Sequence, residues 1–315
     1  MEYRTLGRTG LRVSRLVLGT LSMGPLQADL GVDEGAALIR AAVELGVNLL
    51  DTAEVYGNYP HIRKGLRGLG DEMMVAGKSY ACTWDGMKRS VEAARRGIDR
   101  DVIDIFLLHE QVSALTLEGH RPALEYLLEA KVRGIVRAVG VSTHFVEVVN
   151  AAAGMPDVEV IHPLLNRSGI GVRGGTLDQM VEAVTLAHAS GKGVYAMKAL
   201  GGGTLLEDVE SSLAWVRDLP CVDAVAVGAA DPRELEMDAL VMAGGPVPES
   251  LRDAVRRRPK VLVIEESCTG CGECVKACQF GALAVVEGRA RVSPSSCTLC
   301  GYCAARCEGF FIRVV

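Results

Sequence analysis

The chain has 315 residues and a formal net charge of −5, and 49% of its residues are hydrophobic. This length accommodates one large domain and a small second one, and the mild negative charge argues against nucleic acid or an anionic membrane surface as the main partner. No apolar run approaches the roughly 20 residues of a membrane-spanning helix, and the first residues lack the apolar core of a secretory signal. We therefore expect a cytoplasmic protein whose cysteines are thiols or metal ligands.

Residues 14 to 242 alternate between short apolar runs and longer amphipathic segments, the pattern of strands followed by helices. The predicted strands are, in chain order, RLVLGT, VNLLDTA, MMVAGK, VIDIFLLH, IVRAVGVS, VEVIHPLL, GVYAMKAL and AVAVGAA. Eight strand–helix units predict a (β/α)8 TIM barrel over residues 1–245, with MEYRTLGRTGLRVS as a hairpin that closes its bottom. A doubly wound sheet is the alternative architecture, but its Gly-x-Gly-x-x-Gly after the first strand is missing.

A second unit follows the predicted barrel. The stretch AGGPVPESLRDAVRRRPK combines glycine, proline and basic residues, and we predict a linker and helix over residues 246–260. Residues 261–315 contain the pattern Cys-x2-Cys-x2-Cys-x3-Cys twice, at an offset of 297 − 268 = 29 residues, and a hairpin-like segment around Glu287-Gly288. Repeats this short do not hold together by hydrophobic burial alone. We predict a small α+β ferredoxin-like domain that two metal clusters stabilise.

The spacing of these cysteines predicts iron–sulfur clusters. Three cysteines at this spacing can surround one face of a compact inorganic core, while the fourth ligand must come from elsewhere. Structural zinc is the alternative, but zinc motifs use pairs of ligands and do not need the third cysteine. The repeats resemble the bacterial ferredoxins with two [4Fe–4S] clusters. That resemblance implies one cluster bound by Cys268, Cys271, Cys274 and Cys307, and another bound by Cys297, Cys300, Cys303 and Cys278. We expect Cys82 and Cys221, outside the repeats, to be ordinary buried thiols.

Four polar residues lie at or just beyond the ends of predicted barrel strands. Asp51 ends the second strand and Tyr56 lies in the loop after it, while Lys78 ends the third strand and His109 the fourth. Because these strand ends converge on one face of a barrel, we expect a single proton-handling site for a carbonyl or an alcohol. A phenol with its ordinary pKa of about 10 is a poor acid or base at neutral pH, and a nearby ammonium would lower that pKa.

These residues, together with the segments RTLGRTGLRVSRLVLGT, DTAEVYG and IDIFLLH, resemble the aldo-keto reductase family over roughly residues 1 to 240. The resemblance implies that Tyr56 is the general acid/base and that Lys78 and Asp51 lower its pKa. It also implies that His109 orients the carbonyl group of the substrate.

The same resemblance implies a nicotinamide dinucleotide that lies across this face of the barrel. The residues expected to contact it are Ser142, Met197, Gly201, Gly202, Gly203 and Gly228. After the last strand, GAADPRELEMDAL offers Arg233 as a cation but places Glu234 where the family has basic residues for the 2′-phosphate. An acidic residue that faces a phosphate is unfavourable, so we expect NAD to be favoured over NADP.

The combined pattern predicts an iron–sulfur oxidoreductase that interconverts a carbonyl and an alcohol, with clusters exchanging single electrons with an external carrier of the ferredoxin or flavodoxin type. One alternative is a nicotinamide-independent reductase fed only by its clusters, and another is a non-catalytic electron-transfer protein with a relic barrel. No motif identifies the small-molecule substrate. His144 and His162 end the fifth and sixth strands, where they could contact substrate or hydrogen-bond neighbouring groups. Lys198 could pair with a substrate anion, a cofactor phosphate or a neighbouring carboxylate.

Overall fold

The computed structural model describes residues 1–70, 73–256, 261–278, 280–297 and 302–314. The helices are α1 (Val32–Glu44), α2 (Tyr59–Leu66), α3 (Trp84–Ile98), α4 (Ala114–Gly119), α5 (Arg121–Val132), α6 (Val146–Ala153), α7 (Leu177–Ala189), α8 (Val209–Arg217), α9 (Pro232–Met242), α10 (Glu249–Arg256), α11 (Glu273–Ala277) and α12 (Tyr302–Ala305). The strands are β1 (Tyr3–Thr5), β2 (Arg12–Ser14), β3 (Leu16–Gly19), β4 (Leu49–Asp51), β5 (Met74–Ser79), β6 (Ile103–Gln111), β7 (Val136–Thr143), β8 (Val160–Pro163), β9 (Gly193–Ala196), β10 (Ala224–Gly228), β11 (Leu262–Ile264), β12 (Leu283–Val286), β13 (Arg289–Val292) and β14 (Ile312–Val314). Across these ranges, no helix is both long and apolar enough to cross a membrane.

Strands β3 to β10 form a closed barrel in which neighbouring strands are parallel, and β10 pairs with β3 to complete the ring. These are the eight strands that the sequence predicts, so the predicted (β/α)8 barrel is confirmed. Barrel strands are covered by helices outside and by packed side chains inside, which explains why they read as continuous apolar runs. All six residues of β5, for example, are buried.

Separate hydrophobic clusters cover the two faces of the barrel. The larger one lies between the strands and the surrounding helices and includes Leu38 of α1 and Val91 of α3. The smaller one fills the interior, where Ile105 of β6 packs with Leu6 and Leu11. Leu6 and Leu11 lie between β1 and β2, which pair antiparallel. The N-terminal hairpin therefore closes one end of the barrel and leaves the carboxyl ends of the strands open.

The C-terminal unit is built from two antiparallel strand pairs, β11 with β14 and β12 with β13. The turn between β12 and β13 uses Glu287 and Gly288, whose φ angles of 51° and 73° suit the left-handed turn of a tight hairpin. Buried Cys274 and Cys303 share a small core with Ile312 of β14. A core of this size is consistent with a domain that depends on bound clusters for stability.

The C-terminal unit packs against the open end of the barrel. The Arg313 guanidinium donates a hydrogen bond to the Leu26 carbonyl at 3.1 Å, and Arg173 of the barrel forms an ion pair with Glu308 at 3.2 Å. Arg313 also forms an ion pair with Glu265 within its own unit. These contacts place the last residues of the chain beside the face where the sequence predicts the active site.

Candidate active site

Asp51 and Lys78 form a buried ion pair at the carboxyl ends of β4 and β5. Lys78 Nζ donates to both Asp51 carboxylate oxygens at 2.7 Å and to the Thr52 carbonyl at 2.8 Å. The exposed fractions of Asp51 and Lys78 are only 5% and 1%. Burying two charges is tolerated when each is paired and hydrogen-bonded, as both are here.

Tyr56 and His109 lie next to this ion pair. Tyr56 ends a short 3-10 turn that follows β4, and His109 lies near the end of β6. Lys78 Nζ is 5.1 Å from the centroid of the Tyr56 ring, and the Tyr56 and His109 rings meet edge to face with centroids 6.0 Å apart. The structure therefore brings the four residues predicted for catalysis together at the mouth of the barrel.

The direction of the Tyr56 pKa shift differs from the expectation. Burial, followed by the negative charge of Asp51, raises the pKa of the Tyr56 phenol well above its ordinary value. The resemblance implies a lowering by Lys78, but burial is the largest influence on the Tyr56 pKa, and the Lys78 ammonium donates to Asp51 and Thr52. Tyr56 therefore keeps its proton at neutral pH, which suits a proton donor better than a proton acceptor.

A second layer of polar residues supports Asp51. Tyr195 Oη donates to Asp51 Oδ1 at 3.0 Å, and His162 Nε2 lies 3.6 Å from the same oxygen. The His162 ring stacks on the Tyr195 ring with centroids 3.9 Å apart. Burial is the main cause that lowers the pKa of His162 to about 4, and it lowers the pKa values of His109 and His144 well below their ordinary range. All three histidines at the mouth are therefore neutral imidazoles at neutral pH.

The lowered pKa of His162 predicts a pH-dependent stability. As pH falls, His162 binds a proton near pH 6.5 in the unfolded chain but only near pH 4 in the folded chain. The folded state therefore has its full stability above pH 6.5 and loses stability as the pH falls toward 4. Between pH 7 and pH 5, the unfolding free energy of His162→Gln should therefore fall by about 2 kcal/mol less than that of wild type, as measured by urea denaturation. His120→Gln, at the start of α5, is the control. Parallel stability curves for wild type and His162→Gln would contradict this reading.

Sequence reasoning missed Tyr195, Tyr80 and Glu110. Tyr80 stacks on His109 with ring centroids 4.3 Å apart and donates a hydrogen bond to the Glu110 carboxylate. Glu110 has a φ of 45°, a conformation that costs energy outside glycine and tends to occur at functional sites. Tyr195 could have been found, because it lies two residues before Met197 and so on the same face of its strand. Tyr80 and Glu110 lie beyond a predicted strand end, where the sequence carries no signal.

A pocket of ≈ 300 Å³ extends from the catalytic residues along the mouth of the barrel. Asp51, Tyr56 and His162 line it, and so do Glu234 and Asp238 of α9. Of the residues predicted to contact a dinucleotide, those that line this pocket are Met197, Gly202, Gly203 and Gly228. Gly201 is buried beside the pocket.

Ser142 was expected to contact the dinucleotide, but it does not line this pocket. Its side chain is fully buried, and its hydroxyl oxygen accepts a hydrogen bond from the Glu110 backbone N–H at 2.9 Å. The hydroxyl is thus engaged with the neighbouring strand β6. In this structure Ser142 positions the strained Glu110 backbone.

The glycine loop after β9 makes a close approach, but to the C-terminal unit. A Cβ added to Gly202 would lie 2.8 Å from Phe310 Cδ1, and one added to Gly203 would lie 2.7 Å from the Val314 carbonyl oxygen. Both glycines also have positive φ angles. The absence of side chains at these positions therefore lets the C-terminal unit pack against the mouth of the barrel.

The thiols predicted for the first cluster lie close to one another. Burial raises the pKa of Cys274, and the charges of Cys268, Cys307 and Cys271 raise it further. Backbone N–H groups donate to the sulfurs of two of them, from Ala290 to Cys268 at 3.4 Å and from Phe311 to Cys307 at 3.2 Å. Converging thiols with N–H donors to sulfur are the surroundings that an iron–sulfur cluster requires.

The second predicted cluster is described in part, because Cys300 lies outside the described residues. Cys278 accepts a hydrogen bond from the Ala282 N–H at 3.3 Å, and Cys303 is buried. Within the part of the chain that the structure describes, no three His, Cys, Asp or Glu side chains are arranged around a single metal ion. Outside the repeats, Cys221 is buried as expected, but the prediction for Cys82 is wrong, because it lies exposed in the loop after β5.

These thiols predict the metal content of the protein. Eight thiolates in two sets of four imply two [4Fe–4S] clusters, so anaerobic protein should contain roughly eight iron and eight sulfide per chain. Cys307→Ser should lower the iron and the sulfide content by about half, because Cys307 lies with the thiols of the first repeat. Cys221→Ser is the control, because Cys221 lies outside both repeats. Stoichiometric zinc without sulfide would contradict the assignment.

Comparison with known proteins identifies both units. Residues 15–236 match the Aldo/keto reductase family, and residues 260–308 match the 4Fe-4S dicluster domain. The chain belongs to the aldo/keto reductase family. Its C-terminal unit is a 4Fe-4S dicluster domain.

Curated relatives and solved structures agree with this assignment. Aldo-keto reductase YhdN of Bacillus subtilis is 28% identical over 184 residues, 53% of this chain and 54% of the relative, so the chain spans about half of that protein's length. L-galactose dehydrogenase of Arabidopsis thaliana is 27% identical over 66% of this chain and 68% of its own. An aldo-keto reductase structure from Pseudomonas aeruginosa has a TM-score of 0.67 at 27% identity, covering 77% of this chain and 95% of that chain.

The pocket extends from the catalytic residues to the last barrel strand and the helix after it. It joins Tyr56 to Gly228 and Glu234 in one continuous groove. Glu207 and Glu234 line the groove near α9, and Arg252 and Arg256 line it as well. Arg233, the cation that the sequence offers nearby, forms an ion pair with Asp231 at 2.7 Å.

Proposed function

We propose that this aldo-keto reductase interconverts a carbonyl compound and its alcohol, with Tyr56 as the group that exchanges a proton with the substrate oxygen. The observation that carries the proposal is the convergence of Tyr56 and His109 on the buried Asp51–Lys78 ion pair at the mouth of the barrel. A phenol whose pKa is raised by burial holds its proton at neutral pH and is therefore in the form that donates a proton in carbonyl reduction.

Each supporting residue has a role that follows from its contacts. Neutral His109, beside the Tyr56 ring, can hydrogen-bond the substrate oxygen and orient it toward the phenol. Lys78 and Asp51 fix the base of the site, and Tyr195 holds Asp51 in place. In reduction the carbonyl carbon gains a hydride equivalent and the oxygen gains the proton of Tyr56. In oxidation both transfers reverse.

The cofactors proposed for this chemistry are an NAD-type dinucleotide in the pocket and two [4Fe–4S] clusters on the cysteines of the C-terminal domain. When bound, the nicotinamide would supply the hydride, and the clusters would supply the two single electrons that, with one proton, regenerate it. Met197, Gly202 and Gly228 line the groove that would hold the dinucleotide. We propose an external carrier of the ferredoxin or flavodoxin type as the partner that exchanges single electrons with the C-terminal domain.

A second candidate is a reductase that uses its clusters without a nicotinamide. The observation that favours it is the contact of Phe310 and Val314 with Gly202 and Gly203, because the loop expected to bind a pyrophosphate is in contact with the protein's own C-terminal domain. Engagement of Ser142 by the Glu110 backbone points in the same direction. In this case Tyr56 would still protonate the substrate oxygen.

An anaerobic binding titration distinguishes these candidates. If the dinucleotide binds, NADH should bind more tightly than NADPH, because Glu207 and Glu234 repel an added phosphate. That difference should shrink as salt rises, since exposed charges are screened over about 8 Å at physiological ionic strength. Glu234→Arg should narrow the difference at low salt, and Glu236→Arg on the same helix is the control. Absence of binding by either dinucleotide would favour the second candidate, and tighter NADPH binding would contradict the charge argument.

A further inference from the structure

Lys198 is an unusual residue at the mouth of the barrel. It follows β9 and has a φ of 60°, the left-handed conformation that residues other than glycine rarely adopt. Its ammonium lies over the Phe310 ring, 4.1 Å from the centroid, and its side chain lines the same pocket as Tyr56. Strained backbone persists where the surroundings hold it in place, and such positions cluster at ligand sites.

The charge of Lys198 is not neutralised by an ion pair. Among the described residues, no carboxylate lies within 4.0 Å of its Nζ, which contacts the Phe310 ring instead. Glu110 and Glu265 act on this ammonium only from beyond ion-pair distance, and Glu265 is already paired with Arg313. A partly buried ammonium without a carboxylate is costly, and an anionic ligand would remove that cost.

Arg313 adds a second cation to the wall of this pocket. It belongs to β14 of the C-terminal domain, and its guanidinium is held by Glu265 and by the Leu26 carbonyl. Arg313 is 5% exposed, yet its Nε has no hydrogen-bond partner among the described residues. Arg313, Lys198 and Tyr56 all line the same pocket.

We propose that Lys198 and Arg313 form an anion-binding site beside Tyr56, and that the substrate is an aldehyde or ketone that carries a carboxylate or a phosphate ester. The substrate class rests on the proposed function of Tyr56, whereas the anion site itself does not. The site is completed by the C-terminal domain, because Arg313 belongs to β14 and the Phe310 ring packs under the Lys198 ammonium.

Calorimetric titration of anaerobic holoenzyme tests this site without requiring turnover. Matched probes are pyruvate and its neutral amide, pyruvamide, with dihydroxyacetone phosphate as the phosphate-bearing carbonyl. Pyruvate or dihydroxyacetone phosphate should bind, and Lys198→Met should weaken that binding by about 10- to 100-fold, the range for a lost hydrogen bond to a charged group. Pyruvamide binding should not change. Lys198→Arg should retain most of the anion affinity, because it keeps the charge.

Lys88→Met is the matched control, because Lys88 also lies over an aromatic ring, 5.2 Å from the Trp84 centroid, and is exposed on α3 away from the pocket. It should leave every affinity unchanged. The anionic probe that loses more affinity in Lys198→Met identifies carboxylate or phosphate as the preferred group. Tyr56→Phe should retain anion binding while losing turnover, so a failure of the proposed function would leave this site intact.

Two results would overturn the anion site. The first is that neither anionic probe binds the wild-type holoenzyme. The second is that Lys198→Met leaves the affinity for both anionic probes unchanged. If that variant weakens NADH binding or shifts the cluster reduction potentials instead, Lys198 serves a cofactor rather than the substrate.

Discussion

Tyr56→Phe is expected to lower turnover of carbonyl compounds by about 10²- to 10⁴-fold, the range for loss of a general acid. The substitution removes one hydroxyl and keeps the ring, so the edge-to-face contact with His109 and the position of Lys78 over the ring should remain. The loss should appear in kcat rather than in substrate binding, because the proton is transferred in the chemical step. Steady-state assays of anaerobic protein, with cluster absorbance recorded on the same samples, measure it.

Tyr59→Phe is the matched control for this experiment. Tyr59 lies at the start of α2, and its hydroxyl is buried without a hydrogen-bond partner among the described residues. Removal of this hydroxyl should leave turnover within about twofold of wild type, because Tyr59 is absent from the pocket lining. Equal turnover by wild type and Tyr56→Phe would exclude Tyr56 as the proton donor.

Lys78→Met should destabilise the barrel by about 3–5 kcal/mol, because it leaves the Asp51 carboxylate buried and uncompensated. Asp51 would keep its hydrogen bond from Tyr195, which is neutral and cannot replace the lost charge. We expect a corresponding fall in the urea midpoint of barrel unfolding, measured by tryptophan fluorescence, and loss of turnover. Lys88→Met, which removes an exposed lysine, should leave the midpoint nearly unchanged.

The double variant Asp51→Asn with Lys78→Met separates charge from shape. Removing both charges abolishes the unpaired carboxylate, so the double variant should recover most of the stability that Lys78→Met loses. Turnover should stay low, because the base of the site no longer holds its geometry. Additive losses of stability in the double variant would show that the two residues do not form an energetically coupled pair.

The sequence predicts the barrel and the catalytic residues because both depend on local patterns. Continuous apolar runs mark strands that are buried on two faces, and all eight barrel strands follow from them. Asp51, Lys78 and His109 lie at the ends of such strands, so the closure of the barrel alone brings them together. The cysteine repeats are likewise a local pattern. The resemblance to two-cluster ferredoxins assigns Cys307 to the cluster of the first repeat, and Cys307 lies near the thiols of that repeat.

The contacts between the two units could not be predicted from the sequence. Phe310 and Arg313 follow the last cysteine without any motif, and their roles depend on how the C-terminal domain packs against the barrel. Gly202 and Gly203 match a phosphate loop in sequence, but a glycine permits any close approach, and here the approaching groups belong to the C-terminal domain. The direction of the Tyr56 pKa shift was also unpredictable, because it depends on burial and on where the Lys78 ammonium points.

A single-turnover experiment with anaerobic protein tests most directly whether the barrel and the cluster domain act on one substrate. The holoenzyme is reduced, freed of excess reductant and mixed with a carbonyl compound, with and without NAD⁺, while cluster absorbance and alcohol product are followed together. Reduction of one carbonyl consumes two electrons and two protons, so we expect one alcohol for every two electrons lost by the clusters, and far slower product formation in Tyr56→Phe. Clusters that stay reduced with every carbonyl compound, or alcohol formation that Tyr56→Phe leaves unchanged, would contradict the claim that the barrel and the cluster domain act on one substrate.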